Sequence, residues 1–472
     1  MKGDLVSYNY NRNQISTGIL HIGVGNFHRA HQAFYTNKLL EDPSQKQWGI
    51  CGLALLPSDK KIVKTLKHQD GIYTVTVCGR NGGNRTYTIG SIVDLIWAME
   101  DTETAIKKFA DKNVKIISCT ITEGGYNIDK STGEFILNDK NVQHDLANPT
   151  KPRTVFGYVA EGLRVRMKNG VGPVTFLTCD NLQHNGDTAK RAFTSFITAQ
   201  DQELAAWVEQ NVTFPNSMVD RITPATTPND VKRLKERNGT WDEIPVYCED
   251  FIQWVIEDNF IAGRPAWEEV GVEFTNDVTA FENMKLSLLN ASHTLLAYPS
   301  FLSGYRKVDE AVQDSRFKRL LRDYMDIDIT PYVSASENTD LTLYKKILIE
   351  RFGNHSVSDQ ISRLCADGAS KYPVYVMPNL IKMIRDKADL TRVAFSIASY
   401  RHYLKYRVDD QGTSFEINDP WLTMEDMQLI ESNIPINFVG TYEKMAEGLK
   451  SKGVLALLET IVRQPMTKIK YV

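Results

Sequence analysis

The sequence predicts an α/β fold: a doubly wound domain over residues 1–280, followed by a mainly α-helical domain over 281–472. Three observations predict it. The chain of 472 residues is too long for one ordinary core. Its first part alternates short apolar runs with amphipathic segments, the pattern of a parallel sheet covered by helices. From Glu282 onward strand-like runs are scarce, whereas helical periodicity recurs.

Taken in order, residues 18–22 form an apolar run that leads into Gly23-Val24-Gly25-Asn26-Phe27-His28-Arg29-Ala30-His31 and a helix-like stretch over 32–40. A strand, a glycine turn and a helix start make a dinucleotide-binding fingerprint: glycines admit pyrophosphate to the backbone, and the helix N-terminus offers N–H groups to it. His28 stands where the usual third glycine would be. Arg29, just inside the helix, is placed to reach a phosphate. The next apolar run, 48–56, ends in Pro57-Ser58-Asp59. An acid past the second strand holds the adenosine ribose and repels a 2′-phosphate, so Asp59 favours NAD over NADP. Lys60 and Lys61 beside it keep NADP open, and Asp59 can also cap a helix.

Residues 71–77 and 85–93 read as an antiparallel excursion, 114–120 and 174–178 as buried parallel strands, and 102–109 and 154–167 as covering helices. Ligands in such sheets bind beyond the carboxyl ends of the strands. That makes Glu123 and Asn181, polar residues at two strand ends, candidates for the site. Asp220-Arg221, among apolar neighbours, reads either as an internal ion pair or as a site acid. The C-terminal helical patterns cover 310–324, 341–351, 358–365, 390–403, 423–432 and 441–463.

The stretch 282–293 carries the chemistry. At ~100° per residue, Glu282, Lys285, Asn290 and His293 fall within one arc of a helix, and Met284, Leu288, Ala291 and Leu295 lie opposite, although Leu286 and Leu289 intrude. Such a helix can pack on one side and line a cleft on the other. An i,i+3 surface pair of Glu282 with Lys285 and a core histidine at 293 is the plainer alternative.

Composition narrows the function. With 42% hydrophobic and 24% charged residues and a net charge of −3, the chain has no basic excess for nucleic acid or anionic lipid. No stretch approaches the ~20 apolar residues of a membrane span, and the N-terminus lacks a signal-like apolar region, so a cytoplasmic location is expected. The six cysteines are dispersed and never form Cys-x-x-Cys, which suits reduced thiols, and no zinc spacing occurs among the nine histidines. The expected partner is a small, uncharged or modestly anionic ligand.

Several motifs together resemble the long-chain mannitol dehydrogenase family, the polyol-specific long-chain dehydrogenases and reductases, over nearly the whole chain. They are Gly23 to His31 as the cofactor loop, Val219-Asp220-Arg221-Ile222-Thr223-Pro224 as the signature, and Lys285-x4-Asn290-x2-His293 as the catalytic pattern. Thr122 to Tyr126, Cys179-Asp180-Asn181 and Gly263 to Trp267 add to the likeness.

The resemblance implies an N-terminal Rossmann-type domain that binds NAD or NADP, with Gly23, Val24, Gly25, Asn26, Phe27, His28, Arg29, Asp59 and Glu123 as the cofactor-side residues in the present reading. It implies Lys285 as general acid/base, Asn181 and Asn290 flanking the reacting oxygen, and substrate contacts from Asp220, His293, Arg363 and Lys371. It further implies a proton-relay role for Glu282, no metal, and a monomer. The activity expected is NAD-dependent, reversible oxidation of a polyol to a ketose, D-mannitol to D-fructose first. D-arabinitol oxidation and fructuronate reduction are alternatives within the family, and a non-catalytic NAD-sensing protein is the alternative from another class.

Overall fold

The computed structural model describes residues 5–129, 132–335, 339–424 and 439–462. The chain divides into two compact units, Met1–Glu282 and Asn283–Val472.

The first unit is built on a six-stranded, wholly parallel sheet of β1 (Thr17–Ile22), β2 (Gly49–Ala54), β3 (Ile92–Trp97), β4 (Ile116–Cys119), β5 (Val174–Thr178) and β6 (Val212–Thr213). Its spatial order is β3-β2-β1-β4-β5-β6. That order reverses direction at β1, the switch point where dinucleotides bind in the Rossmann fold. Every residue of β1, β2, β4 and β5 is buried, as expected of strands covered by helices on both faces.

From the sequence, residues 85–93 read as one strand of an antiparallel excursion. Asn84–Ile89 does pair antiparallel with Tyr73–Cys78, but Ile92–Trp97 then joins the main sheet as β3. The break falls at Gly90 and Ser91, whose N–H and hydroxyl are held by Asn37 Oδ1 and the Ala33 carbonyl. A continuous β-favouring run hid this corner. Two smaller sheets complete the unit, one of Leu5–Val6, Asn84–Ile89, Tyr73–Cys78 and Val246–Glu249, the other of Ser217–Asp220, Gln253–Glu257 and Glu273–Thr275.

The second unit contains no named strand among the described residues. At its centre runs Ala291–Leu302, all twelve residues of which are buried. A helix buried all round must be covered on every side. Helices Ser315–Asp323, Ile361–Cys365, Gly368–Tyr375, Thr391–Tyr406 and Val454–Val462 do so. Tyr298 anchors the packing, its ring 4.5 Å from that of Tyr400 and its hydroxyl donating to the Cys365 carbonyl. The pattern at 310–324 is two helices, because Asp314 accepts from Arg316 N and starts a new one. Only Ile361–Cys365 of the pattern at 358–365 is helical. Of the pattern at 423–432, residues 425–432 lie outside the described residues.

All six cysteines are free and buried. No helix among the described residues is long and apolar enough to cross a membrane.

Helix Val155–Lys168 approaches helix Thr102–Phe109 through Gly162, where an added Cβ would lie 2.4 Å from Phe109 Cγ. Gly162→Ala is expected to destabilise the protein by about 1–3 kcal/mol, the cost of overpacking a close contact. An unchanged denaturant midpoint would refute the contact.

Candidate functional site

The first unit gathers polar groups at the carboxyl ends of its strands. After β1, Gly23 adopts φ +97°, and a Cβ there would meet the Thr120 carbonyl at 2.4 Å. Only glycine fits that turn. Above Gly25, by contrast, the space is open to 4 Å. A backbone bare of side chain beside open space is what a pyrophosphate requires, so this turn fits a dinucleotide.

Asn26 braces the turn by donating to the Pro224 carbonyl and to Thr226 Oγ1. Val24 is buried, and the Phe27 ring stacks on His31 at 4.9 Å. His28, in the position of the third glycine, turns inward and stacks on His21 at 3.4 Å. Burial holds both imidazoles neutral, pushing His21 down to about 3 and His28 well below its ordinary value. Arg29 is also buried: its guanidinium donates to the Ile244 carbonyl and to Asn26 Oδ1, and it lies over the Tyr73 ring. The guanidinium expected to meet a phosphate is thus turned inside the domain, held through Nη1 and Nη2. Asp59 follows β2 and accepts from Leu56 N at 3.0 Å, closing the 3-10 turn Pro57–Asp59; its side chain makes no capping bond to helix Lys60–His68.

Glu123 and Asn181 follow β4 and β5. Between them lies Asp180, which sequence reasoning passed over although it sits in the Cys179-Asp180-Asn181 motif. Its carboxylate accepts from Ile121 N, Thr122 N and the Tyr126 hydroxyl, so one buried acid binds the two strand ends together. Burial, with Glu123 adding, pushes it up to about 6. Thr122 is held at φ +65°, ψ 166°, a region nearly reserved for glycine. Asp220 ends strand Ser217–Asp220 and is buried. Asn185 positions that strand, donating to the Asp180 and Ser217 carbonyls. Arg221 spends its guanidinium on the Ala30 and Glu249 carbonyls over the Phe34 ring.

Glu282 closes this unit. Its Oε2 accepts from His184 N at 2.9 Å, while Oε1 is buried without a partner among the described residues. Burial, reinforced by Glu257, Asp187 and Asp277, raises it to about 7.

In the second unit Lys285 and Asn290 bound a π-helical turn, Lys285–Asn290, marked by Ala291 N bonding back to the Leu286 carbonyl. Residues five apart stand about 140° apart around an α-helix. When bonds reach back five residues they come close to one above the other, and such turns recur at functional sites. The wider turn therefore narrows the angle between Lys285 and Asn290, which a regular helix would leave at the two edges of their arc. It also accounts for Leu286 and Leu289, both buried, which spoiled the expected division of faces.

Lys285 is 5% exposed. Asn290 Oδ1 and His293 Nε2 are buried without partners among the described residues. His293 packs on the Phe352 ring at 4.3 Å. Burial first, then the charges of Arg363, Arg351, Lys371 and Lys285, hold its imidazole well below the usual range. The unit thus brings Lys285, Arg363 and Lys371 around His293, together with Arg351, which carried no signal in the sequence. Arg363 grips Asp359 through Nε and Nη2 at 2.8 and 2.6 Å. Lys371 Nζ donates to the Arg363, Leu364 and Ala366 carbonyls. No group of three or more His, Cys, Asp or Glu among the described residues is arranged to hold a metal ion.

The mannitol dehydrogenase Rossmann-domain model matches residues 17–269, and the mannitol dehydrogenase C-terminal-domain model matches 277–462. The polyol:NADP oxidoreductase of Gluconobacter oxydans is 43% identical over 413 residues, 87% of this chain and 84% of that protein. The D-mannonate oxidoreductase of Escherichia coli is 38% identical over 415 residues, 88% of this chain and 85% of that protein. The mannitol 2-dehydrogenase of Pseudomonas fluorescens, solved as a ternary complex with NAD and D-mannitol, superimposes with a TM-score of 0.93 at 40% identity, covering 98% of this chain and 97% of that one.

Two predictions follow from the strand ends. Gly25→Ala should fold normally and lose cofactor affinity by at least about tenfold, because its methyl fills the approach path; Gly23→Ala should lower the melting temperature even without cofactor. Equal effects of the two in both assays would refute the distinction. Thr122→Gly should stabilise the protein by about 1 kcal/mol through relief of strain, and a fall in melting temperature would contradict it.

Proposed function

The chain belongs to the mannitol dehydrogenase family, and from that premise we propose that it oxidises a secondary alcohol of a polyol to a ketose with NAD. D-mannitol to D-fructose, reversibly, is the leading pair. The observation that carries the reading is the stretch 282–293, where a buried lysine, an amide, an imidazole and a carboxyl follow one another and the last three keep unpartnered atoms. Buried polar atoms without partners are costly, and a polyol bristling with hydroxyls would supply what they lack.

Bound NAD would supply the hydride acceptor, resting on the Gly23–Gly25 turn. The chain's own residues would do the rest. Lys285 takes the hydroxyl proton, which requires an amine brought towards neutrality by burial and neighbouring positive charge. Asn181 and Asn290 aim amide N–H groups at the oxygen as it becomes alkoxide-like, an effect worth roughly 3 kcal/mol per donor in comparable sites. His293, neutral at working pH, and Asp220 orient neighbouring hydroxyls. Glu282, one turn before Lys285, passes the proton onward; its raised pKa keeps it from pinning the amine as a fixed ion pair.

For the cofactor, Asp59 supports NAD, whereas the relative at 43% identity is a polyol:NADP oxidoreductase. A sugar acid is the second substrate reading, since a D-mannonate oxidoreductase is also a relative. A carboxylated substrate needs an available cation. Arg363 is already held by both oxygens of Asp359, and Lys371 by three carbonyls, which favours the uncharged polyol.

The test is NADH absorbance on adding D-mannitol, with NADP and D-mannonate in parallel. Turnover of mannitol with NAD supports the proposal, and turnover of mannonate alone overturns the substrate. Lys285→Ala should lower kcat by at least about 100-fold while NAD affinity stays near that of the parent. Comparable loss of both would indicate structural damage instead of a lost base.

A further inference from the structure

Beside the buried Glu282 stands an imidazole that the reaction as described does not use. The His184 ring is 45% exposed and its Nδ1 lies 4.0 Å from Glu282 Oε2, whose side chain is 2% exposed. The same oxygen already accepts the His184 backbone N–H at 2.9 Å. His184 precedes helix Asn185–Gln200 in the left-handed region, at φ +48°, and its ring makes no capping bond there. An ordinary side chain adopts that conformation at a cost. Here the cost holds the main-chain N–H against the carboxylate and leaves the ring between the carboxylate and solvent.

Lys285 follows Glu282 by one helical turn, and the charges that raise the Glu282 carboxyl come from the acids Glu257, Asp187 and Asp277. Asn216 holds two of them, donating to Asp187 Oδ2 and Glu257 Oε1. Carboxylates are weak acceptors for a proton that has to leave near neutral pH, whereas imidazole is suited to that range. His184 also acts on the Asp277 carboxylate, so the ring belongs to this cluster electrostatically.

We propose that His184 is the solvent-side acceptor of the Glu282 proton, a positioning and relay residue that acts through Glu282. The inference rests on the reading of Glu282 as the group that receives the proton from Lys285. In the oxidation direction one proton leaves the substrate hydroxyl per turnover. Rotation of the half-exposed ring brings Nδ1 to hydrogen-bonding range; its lone pair takes the carboxyl proton, the Glu282 carboxylate is regenerated, and the imidazolium releases its Nε2 proton to water. Exchange with water resets the tautomer.

The experiment compares the parent with His184→Asn, His184→Gly and Glu282→Gln, following proton release with a pH indicator in a single turnover of NAD and D-mannitol, with and without free imidazole. Asparagine and glycine tolerate the left-handed conformation and keep the backbone N–H, so both variants should melt like the parent and hold substrate affinity within about twofold. Proton release should slow by about tenfold or more in both and be restored by free imidazole in proportion to its basic form. Glu282→Gln should be slow and insensitive to imidazole, and adding His184→Asn to it should cost nothing more. Normal proton release in the His184 variants beside a slow Glu282→Gln would overturn the role of His184 alone. Normal release in Glu282→Gln would remove the reading of Glu282, and the relay with it.

Discussion

Burying polar atoms without partners costs free energy, and the stretch from Glu282 to His293 does so repeatedly. Glu282 Oε1, Asn290 Oδ1, Ser292 Oγ and His293 Nε2 are all buried and without partners among the described residues. Each is a penalty of about 1–3 kcal/mol that packing elsewhere must offset. The second unit has the means, since its central helix is buried over its full length and surrounded by others. The π-helical turn is part of the same arrangement, because it trades regular bonding for the alignment of Lys285 with Asn290. The chemistry proposed for the chain is the reason such costs would be retained.

In the first unit the comparable constraint is the carboxylate of Asp180. It joins the loops after β4 and β5 and holds Thr122 in a conformation that a β-branched residue would otherwise leave. A strained loop has one geometry only as long as its anchor is stronger than the strain. Glu123 and Asn181 sit on either side of that anchor, so their positions inherit its rigidity. The His21–His28 stack does similar service beneath the glycine turn, filling with a neutral aromatic pair the place where close helix–strand packing would use a third glycine.

Electrostatics divides the labour. Burial first, and then the positive charge around it, keeps His293 a neutral imidazole that can both donate and accept. Burial, with neighbouring negative charge added, keeps Glu282 near the point of exchanging its proton. Of the cations beside His293, Arg363 is held by Asp359 and Lys371 by backbone carbonyls. Under the proposed reading, such contacts suit a ligand rich in hydroxyls and poor in charge.

What the sequence determined by itself was the class of fold and the identity of the chemical groups. Alternating apolar runs made the parallel sheet legible, because strands buried on both faces must be continuously apolar, and the glycine turn was legible because only glycine permits its backbone. Lys285, Asn290 and His293 were visible as a spacing. The tertiary structure decided which polar atoms are engaged and which remain open, because that depends on partners far away in the chain. Arg29 reads as a phosphate contact until Ile244 accepts from it; Asp180 reads as a loop residue until the backbone of 121–122 closes on it. His184 meets Glu282 across 98 positions of sequence. The π-turn was equally hidden, since a periodicity of 3.6 presupposes the bonding that packing around Lys285–Asn290 replaces.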